Sequence, residues 1–228
     1  MTRARVAGLV TAAVGLVGAV GALHLPRVQA RLGGLGRAVC PVTPLDPASR
    51  EEARRRAVVG LRGEGAAPGR PALGFSLGVT TEGEVRAWAS RERVACEDAR
   101  GGSTVTCVEV PARSRSAARA GSGAARVSFR FDPAGRLAAV VAVEDSLTPG
   151  DAVASVERTG AALERALGRP AAVTGTLAPA WVAGGDLRQA RLEHRFADYY
   201  AAVAATRVGR AGAAVTEEYQ LLATPPGG

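Results

Sequence analysis

"TPGDAVASVERTGAALERALG", residues 148–168, decides how the rest of the chain is read. Thr148 offers an N-cap oxygen, Pro149 suits the first helical position, and Gly168 followed by Pro170 marks a stop. Between them Val153, Val156, Ala161 and Leu163 help line one apolar side, so a helix is predicted. The flanks read differently. Upstream, "RVSFRF" (126–131) and "RLAAVVAVE" (136–144) bracket the hairpin turn Asp132-Pro133-Ala134-Gly135. Downstream, "ARLEHRF" (190–196), "YYAAVAATRV" (199–208) and "AAVTEEYQLL" (213–222) carry β-branched and aromatic residues, with "GRAG" (209–212) as the last turn.

A second helix is predicted over "VTTEGEVRAWASRE" (79–92). Thr81 and Glu84 form a capping box there, and Val85 and Trp88 share a face. An earlier one is expected in "PLDPASREEARRRAVVGLRG" (44–63), with Asp46 as N-cap and Arg54 to Arg56 on a solvated side. "EGAAPGRPALG" (64–74) reads as a Gly/Pro linker. The expected order is helix, helix, four strands, helix and about three strands. The fold class is α+β: an N-terminal apolar helix, then a domain of two α-then-antiparallel-β units. The segments are 1–30, signal anchor or signal peptide; 31–73, linker and helix; 74–146 and 147–222, the two units; and 223–228, a tail. Pieces of "FRFDPAGRLAAV" recur in "HRFADYYAAV" at unequal spacing, a hint of duplication.

"RVACEDARGGSTVTCVEV" (93–110) carries Cys96 and Cys107 on either side of Gly101-Gly102. With the two glycines at the centre of a turn, Cys96 falls opposite Cys107 on one face of a ladder, at a hydrogen-bonded position. Opposed strand residues are close enough for a disulfide. A zinc site lacks its further ligands, and a thioredoxin-like pair wants two intervening residues at a helix start. A staple is expected, with two free thiols as the alternative. Disulfides persist in oxidising spaces, so the domain is expected on the periplasmic or extracellular side. Cys40 is left as a free buried thiol, an interchain link or a partner in a different pairing.

At the N-terminus, Arg3 and Arg5 precede an uncharged apolar run from Val6 to Leu23. That length favours a retained signal anchor, placing the chain in a membrane through residues 6–25. The alternatives are a cleaved signal peptide with Val28-Gln29-Ala30 as its site, giving a secreted domain, or a buried soluble helix. Cys40 lacks the small residue before it that a lipid-anchor motif needs.

The chain has 228 residues and a formal charge of +8, yet no Lys, Asn or Ile. Such omissions match a GC-rich bacterial coding sequence. Five arginines precede the first acid, Asp46, which leaves 24 arginines against 21 acids in the remainder. A charge excess beside an apolar segment, with few aromatics, argues against nucleic acid as a partner.

Gly74-Phe75-Ser76-Leu77-Gly78 matches a nucleophile-elbow pattern, with His194 and Asp198 (or Asp186) as conceivable partners. The preceding "APGRPAL" is too rich in Pro and Gly for a buried strand, and no oxyanion segment is visible. A serine hydrolase is the alternative reading. No metal cluster, P-loop or dinucleotide fingerprint occurs, so no cofactor is expected. "PARSRSAARAGSGAAR" (111–126) is read as a mobile loop; its Arg113, Arg115, Arg119 and Arg126 are candidate contacts for an anionic surface. Trp88, Trp181, Tyr199, Tyr200 and Tyr219 are core candidates or, if clustered, a groove.

"LGVTTEGEV" (77–85) and "LERALGRP" (163–170) resemble parts of the signature of the small lipoprotein subunit of the outer-membrane β-barrel assembly machinery. There, one helix after a Gly-x-Thr start ends in Leu-Gly-x-Pro and leads into antiparallel strands. Here the two pieces lie in different units and the lipid-bearing Cys is absent. The resemblance implies an envelope scaffold or binding module with an unidentified envelope protein or ligand as partner. It carries no binding residues across.

Overall fold

A computed structural model describes residues 56–99, 103–115, 124–185, 188–209 and 212–222, all within one unit, Arg55–Gly228. A helical turn at 56–59 opens it. Then follow β1 (Pro71–Ala72), β2 (Phe75–Ser76), α1 (Glu82–Glu92), β3 (Cys96–Asp98), β4 (Thr104–Pro111), α2 (Ala112–Arg115), β5 (Ala124–Phe131) and β6 (Leu137–Leu147). The remainder is α3 (Pro149–Leu167), β7 (Ala172–Thr174), α4 (Pro179–Ala183), β8 (Gln189–Arg195), β9 (Tyr199–Val208) and β10 (Gly212–Leu221). Helices plus a large antiparallel sheet make the class α+β.

The sheet has eight strands in the order β3-β4-β5-β6-β10-β9-β8-β7. Every neighbouring pair is antiparallel. α1 precedes β3 to β6 and α3 precedes β7 to β10, so four strands follow α3 rather than about three. The strand missed, β7, has only three residues between Pro170 and Gly175 and pairs at the sheet edge. The two sets of four meet where β10 pairs with β6, from Ala213 opposite Leu147 to Gln220 opposite Ala139.

Local chemistry explains the helices. At α1 both halves of the capping box form: Thr81 accepts from the Glu84 amide, and the Glu84 carboxylate accepts from the Thr81 amide at 2.7 Å. At α3 the Thr148 hydroxyl accepts from the Asp151 amide, Pro149 starts the helix, and Gly168 ends it at φ +85. Both helices lie on one side of the sheet. Trp88 of α1 packs edge-on against Phe75 and Phe129, at centroid distances of 5.3 and 5.6 Å. Val153, Val156, Leu163 and Leu167 of α3 are buried with Ala190, Val203 and Val215. Ala161, expected on that side, is exposed. Gly160 takes the inner position, where an added Cβ would come within 2.4 Å of Leu192 Cδ1.

The expected linker at 64–74 is partly structured. β1 and β2 form a two-residue ladder turned by Leu73 and Gly74, at φ +53 and +87. Two successive positive φ values are what a primed hairpin turn needs. The hairpin rests on the sheet: the Tyr199 hydroxyl donates to the Pro71 carbonyl, and the Gly78 amide donates to the Leu137 carbonyl at 2.8 Å.

On the opposite sheet face, Val58 and Leu61 pack on Tyr200, Ala202 and Leu222. Gly63 fixes this segment, its amide donating to the Phe196 carbonyl at 3.1 Å. The expected anchor at 6–25, Asp46 and Cys40 lie outside the described residues. Among the described residues no helix is long and apolar enough to cross a membrane.

Cys96 and Cys107 form a disulfide between β3 and β4, with Cα atoms 4.0 Å apart. The expected register is observed, but its hydrogen-bond phase is shifted. The Ala99 amide donates to the Thr104 carbonyl and the Val108 amide to the Ala95 carbonyl, which makes Cys96 and Cys107 a non-hydrogen-bonded pair. Such pairs are the closer of the two kinds, which suits the cross-link.

Two outcomes are expected. Replacing Cys96 and Cys107 together by Ala lowers the urea unfolding free energy by about 2–3 kcal/mol, because a short loop is no longer closed in the unfolded chain. Gly63→Ala places a Cβ 2.1 Å from the Arg195 carbonyl oxygen. It should cost about 1–3 kcal/mol and speed hydrogen exchange at the Ala197 amide, which donates to Gly65.

Candidate functional site

Between α3 and the β1–β2 hairpin lies a cavity of about 140 Å³. Pro71, Leu73 and Gly74 wall it on the hairpin side. α3 contributes Ser155, Thr159, Ala162 and Ala166, which helical spacing places along one side, together with Arg158 and Leu163. Small side chains at four of these positions leave the volume unfilled. β10 supplies the polar residues Glu217 and Tyr219.

Glu217 is the unusual member. It stands opposite Ala142 of β6 and Val203 of β9, on the sheet face that carries the helices, and is only 2% exposed. The buried Tyr219 hydroxyl donates to its Oε2 at 2.7 Å. Ser155 and Thr159 are also buried, whereas Arg158 is exposed. The cavity thus joins a buried carboxylate and hydroxyls to apolar walls and an exposed guanidinium. That combination can hold a small molecule and orient it. Sequence reasoning missed Glu217. The available signal was strand alternation: adjacent Glu217 and Glu218 must face opposite sides, so one of them had to point inward with Val215 and Tyr219.

The three residues of the hydrolase alternative are held separately. Ser76 is exposed on β2, a hairpin strand rather than a strand-to-helix elbow, and its amide donates to Thr80 Oγ1. His194 on β8 is 1% exposed, and neither ring nitrogen has a hydrogen-bond partner. Asp198 accepts from the Ala67 amide at 2.8 Å and pairs with Arg70. Burial pushes the Asp198 carboxyl up, but these donors outweigh it and hold the pKa below its ordinary value. His194 therefore contacts neither Ser76 nor Asp198 through a hydrogen bond. Asp186 lies outside the described residues.

Of the four candidate arginines, Arg126 is exposed on β5, and Arg113 and Arg115 belong to α2. The expected loop at 111–126 is thus interrupted at both ends: Pro111 closes β4, and β5 starts at Ala124. Arg119 falls outside the described residues. The aromatic candidates divide similarly. Tyr199, Tyr200 and Tyr219 are buried and Trp88 joins the core, while Trp181 is 37% exposed beneath the Arg188 guanidinium at 4.7 Å.

On the sheet face away from α3, Glu193 sits between Arg191 and Arg195, at 2.7 and 2.5 Å. Burial raises the Glu193 pKa, but the Arg195 hydrogen bonds and both positive charges leave it below the ordinary value. Arg191 also reaches the Tyr200 hydroxyl and, at 3.3 Å, Glu218. Mutual pairing makes this group structural in character. No group of three or more metal-binding side chains occurs among the described residues. No protein-family model, curated protein or solved structure matches the chain.

Burial lowers the His194 pKa, opposed in part by the Glu164 charge. The unfolded chain consequently takes up a proton at a pH where the folded chain does not. Stability is full above the ordinary value of 6.5 and falls as pH drops from there towards the lowered folded value. Urea midpoints at about pH 7.5 and pH 5.5 should differ in that sense, and His194→Leu should remove most of the difference.

Proposed function

We propose that this chain is a non-catalytic binding or scaffold module of a bacterial cell envelope. It is held to the membrane through residues 6–25, with the folded domain on the periplasmic or extracellular side. The Cys96–Cys107 disulfide carries this reading. A bridge between directly opposed edge residues forms and persists in an oxidising compartment, and cytosolic thiols of this kind stay reduced. The apolar run at 6–23 supplies a route out of the cytosol. The resemblance of "LGVTTEGEV" and "LERALGRP" to the assembly-machinery lipoprotein favours the same address. These pieces occur at the start of α1 and the end of α3, two separate helices.

The absence of a hydrogen bond from His194 to Ser76 or Asp198 supports a binding role over hydrolysis. The test expresses the chain with its own N-terminus in a bacterium and labels intact spheroplasts with a membrane-impermeant maleimide. Expected are protease access to the domain from outside and labelling of Cys96 and Cys107 only after reduction. A folded protein in the cytosol with both thiols reactive overturns the proposal.

A further inference from the structure

We infer that the cavity between α3 and the β1–β2 hairpin binds a small neutral aliphatic molecule whose single hydroxyl or carbonyl group hydrogen-bonds the Ser155 hydroxyl. This names a ligand class for the binding role proposed above and rests on that reading. It makes no use of the cellular address, so the two fail separately.

Size sets the first limit. A cavity of about 140 Å³ is close to the roughly 150 Å³ apolar cavity that accommodates benzene. A handful of non-hydrogen atoms fits, whereas a nucleotide or a sugar chain does not. Charge sets the second limit. Glu217, Tyr219 and Thr159 are already engaged within the protein, the Tyr219 hydroxyl donating to Glu217 at 2.7 Å. A charged ligand would have to compete for groups that hold partners, and burying an unpaired charge costs far more than burying a neutral group. Arg158 also belongs to the lining, but it is exposed, and an ion pair formed in water contributes little. Both considerations select a neutral molecule.

Ser155 sets the third limit. It lies on the side of α3 that helical spacing shares with Ala162 and Ala166, lines the cavity and is only 8% exposed. Among the described residues its hydroxyl has no hydrogen-bond partner. Buried polar groups are ordinarily hydrogen-bonded, and a hydroxyl offers one donor and two acceptor positions. A ligand hydroxyl or carbonyl oxygen held in the cavity meets that need. Leu73, Ala162 and Leu163 then present apolar surface to a short aliphatic body.

The test titrates 1-butanol, benzene, butyrate and butylammonium into the purified full-length chain while NMR follows the backbone amides of residues 73–74 and 155–166. Expected are saturable shifts with 1-butanol and with benzene, which probes the volume alone, and none with either ion. Ligands of this size bind with a Kd of about a millimolar. Ser155→Ala should weaken 1-butanol binding about fivefold, as loss of one hydrogen bond predicts, and leave benzene unchanged. Ala162→Phe fills the cavity and should abolish binding of both in a protein whose far-UV spectrum and urea midpoint show it folded. Ala166→Leu, at a more exposed position of the lining, takes its place where that variant does not fold. Absence of saturable shifts with 1-butanol or benzene up to about 20 mM, well above the expected Kd, overturns the inference. So do comparable binding of either ion, an equal effect of Ser155→Ala on 1-butanol and benzene, and unchanged binding in the filled variant.

Discussion

β6 and β10 lie side by side in the middle of the sheet, and their pairing sets where nearly everything else can be. Val140 stands opposite Tyr219, Ala142 opposite Glu217, and Val141 opposite Glu218. Alternation then sends Tyr219, Glu217 and Val215 to the side covered by α3 and the hairpin, and Glu218 to the other. A slip of one residue would exchange these sets, exposing Tyr219 and burying Glu218. The same seam joins four strands that follow α1 to four that follow α3. Without it each set would present a long unpaired central edge, which is an aggregation hazard.

The outer edges are managed in another way. Both β3 and β7 are three-residue strands, short enough to offer little template to another chain. β3 is in addition tied to β4 by its disulfide. β7 has no cross-link and depends on its ladder with β8 and on the Ala171 amide, which donates to the Glu193 carbonyl at 2.7 Å. The staple therefore acts where a very short strand would otherwise be held by few contacts. It also constrains the unfolded chain, so its stabilisation does not depend on burial.

Much of the architecture was legible because it rests on local chemistry. Thr81 with Glu84, Thr148 with Pro149, the turn at Asp132 and the opposed cysteines all act within a few residues or across one hairpin. What escaped reading depends on distant partners. Pro71 and Phe75 form a hairpin on Tyr199, which lies more than a hundred residues away, and their Pro/Gly-rich setting imitates a linker. Gly160 displaces Ala161 from the core side because Leu192 needs the room, a fact absent from any helix pattern. The hydrogen-bond phase of the cysteine hairpin, set by the Ala99–Thr104 and Val108–Ala95 bonds, differs from the one that a turn centred on the Gly-Gly pair implies. Glu217 was legible in part: alternation required one of two neighbouring acids to face inward, but only the register of the seam decides which.

Two polar groups inside the helix-covered side show how differently a fold can treat burial. His194 has no hydrogen-bond partner for either ring nitrogen and is kept neutral by burial, so it behaves largely as a flat apolar filler beside Ala201. Glu217 instead adjoins open volume, with a tyrosine hydroxyl already donating to it. Packing alone would favour a leucine at that position and larger residues at Ala162 and Ala166, because filled volume and the absence of a buried acid both stabilise. Small side chains and an acid beside this volume therefore cost packing, and that cost follows from the β6–β10 register, which turns Glu217 rather than Glu218 to the helix-covered side.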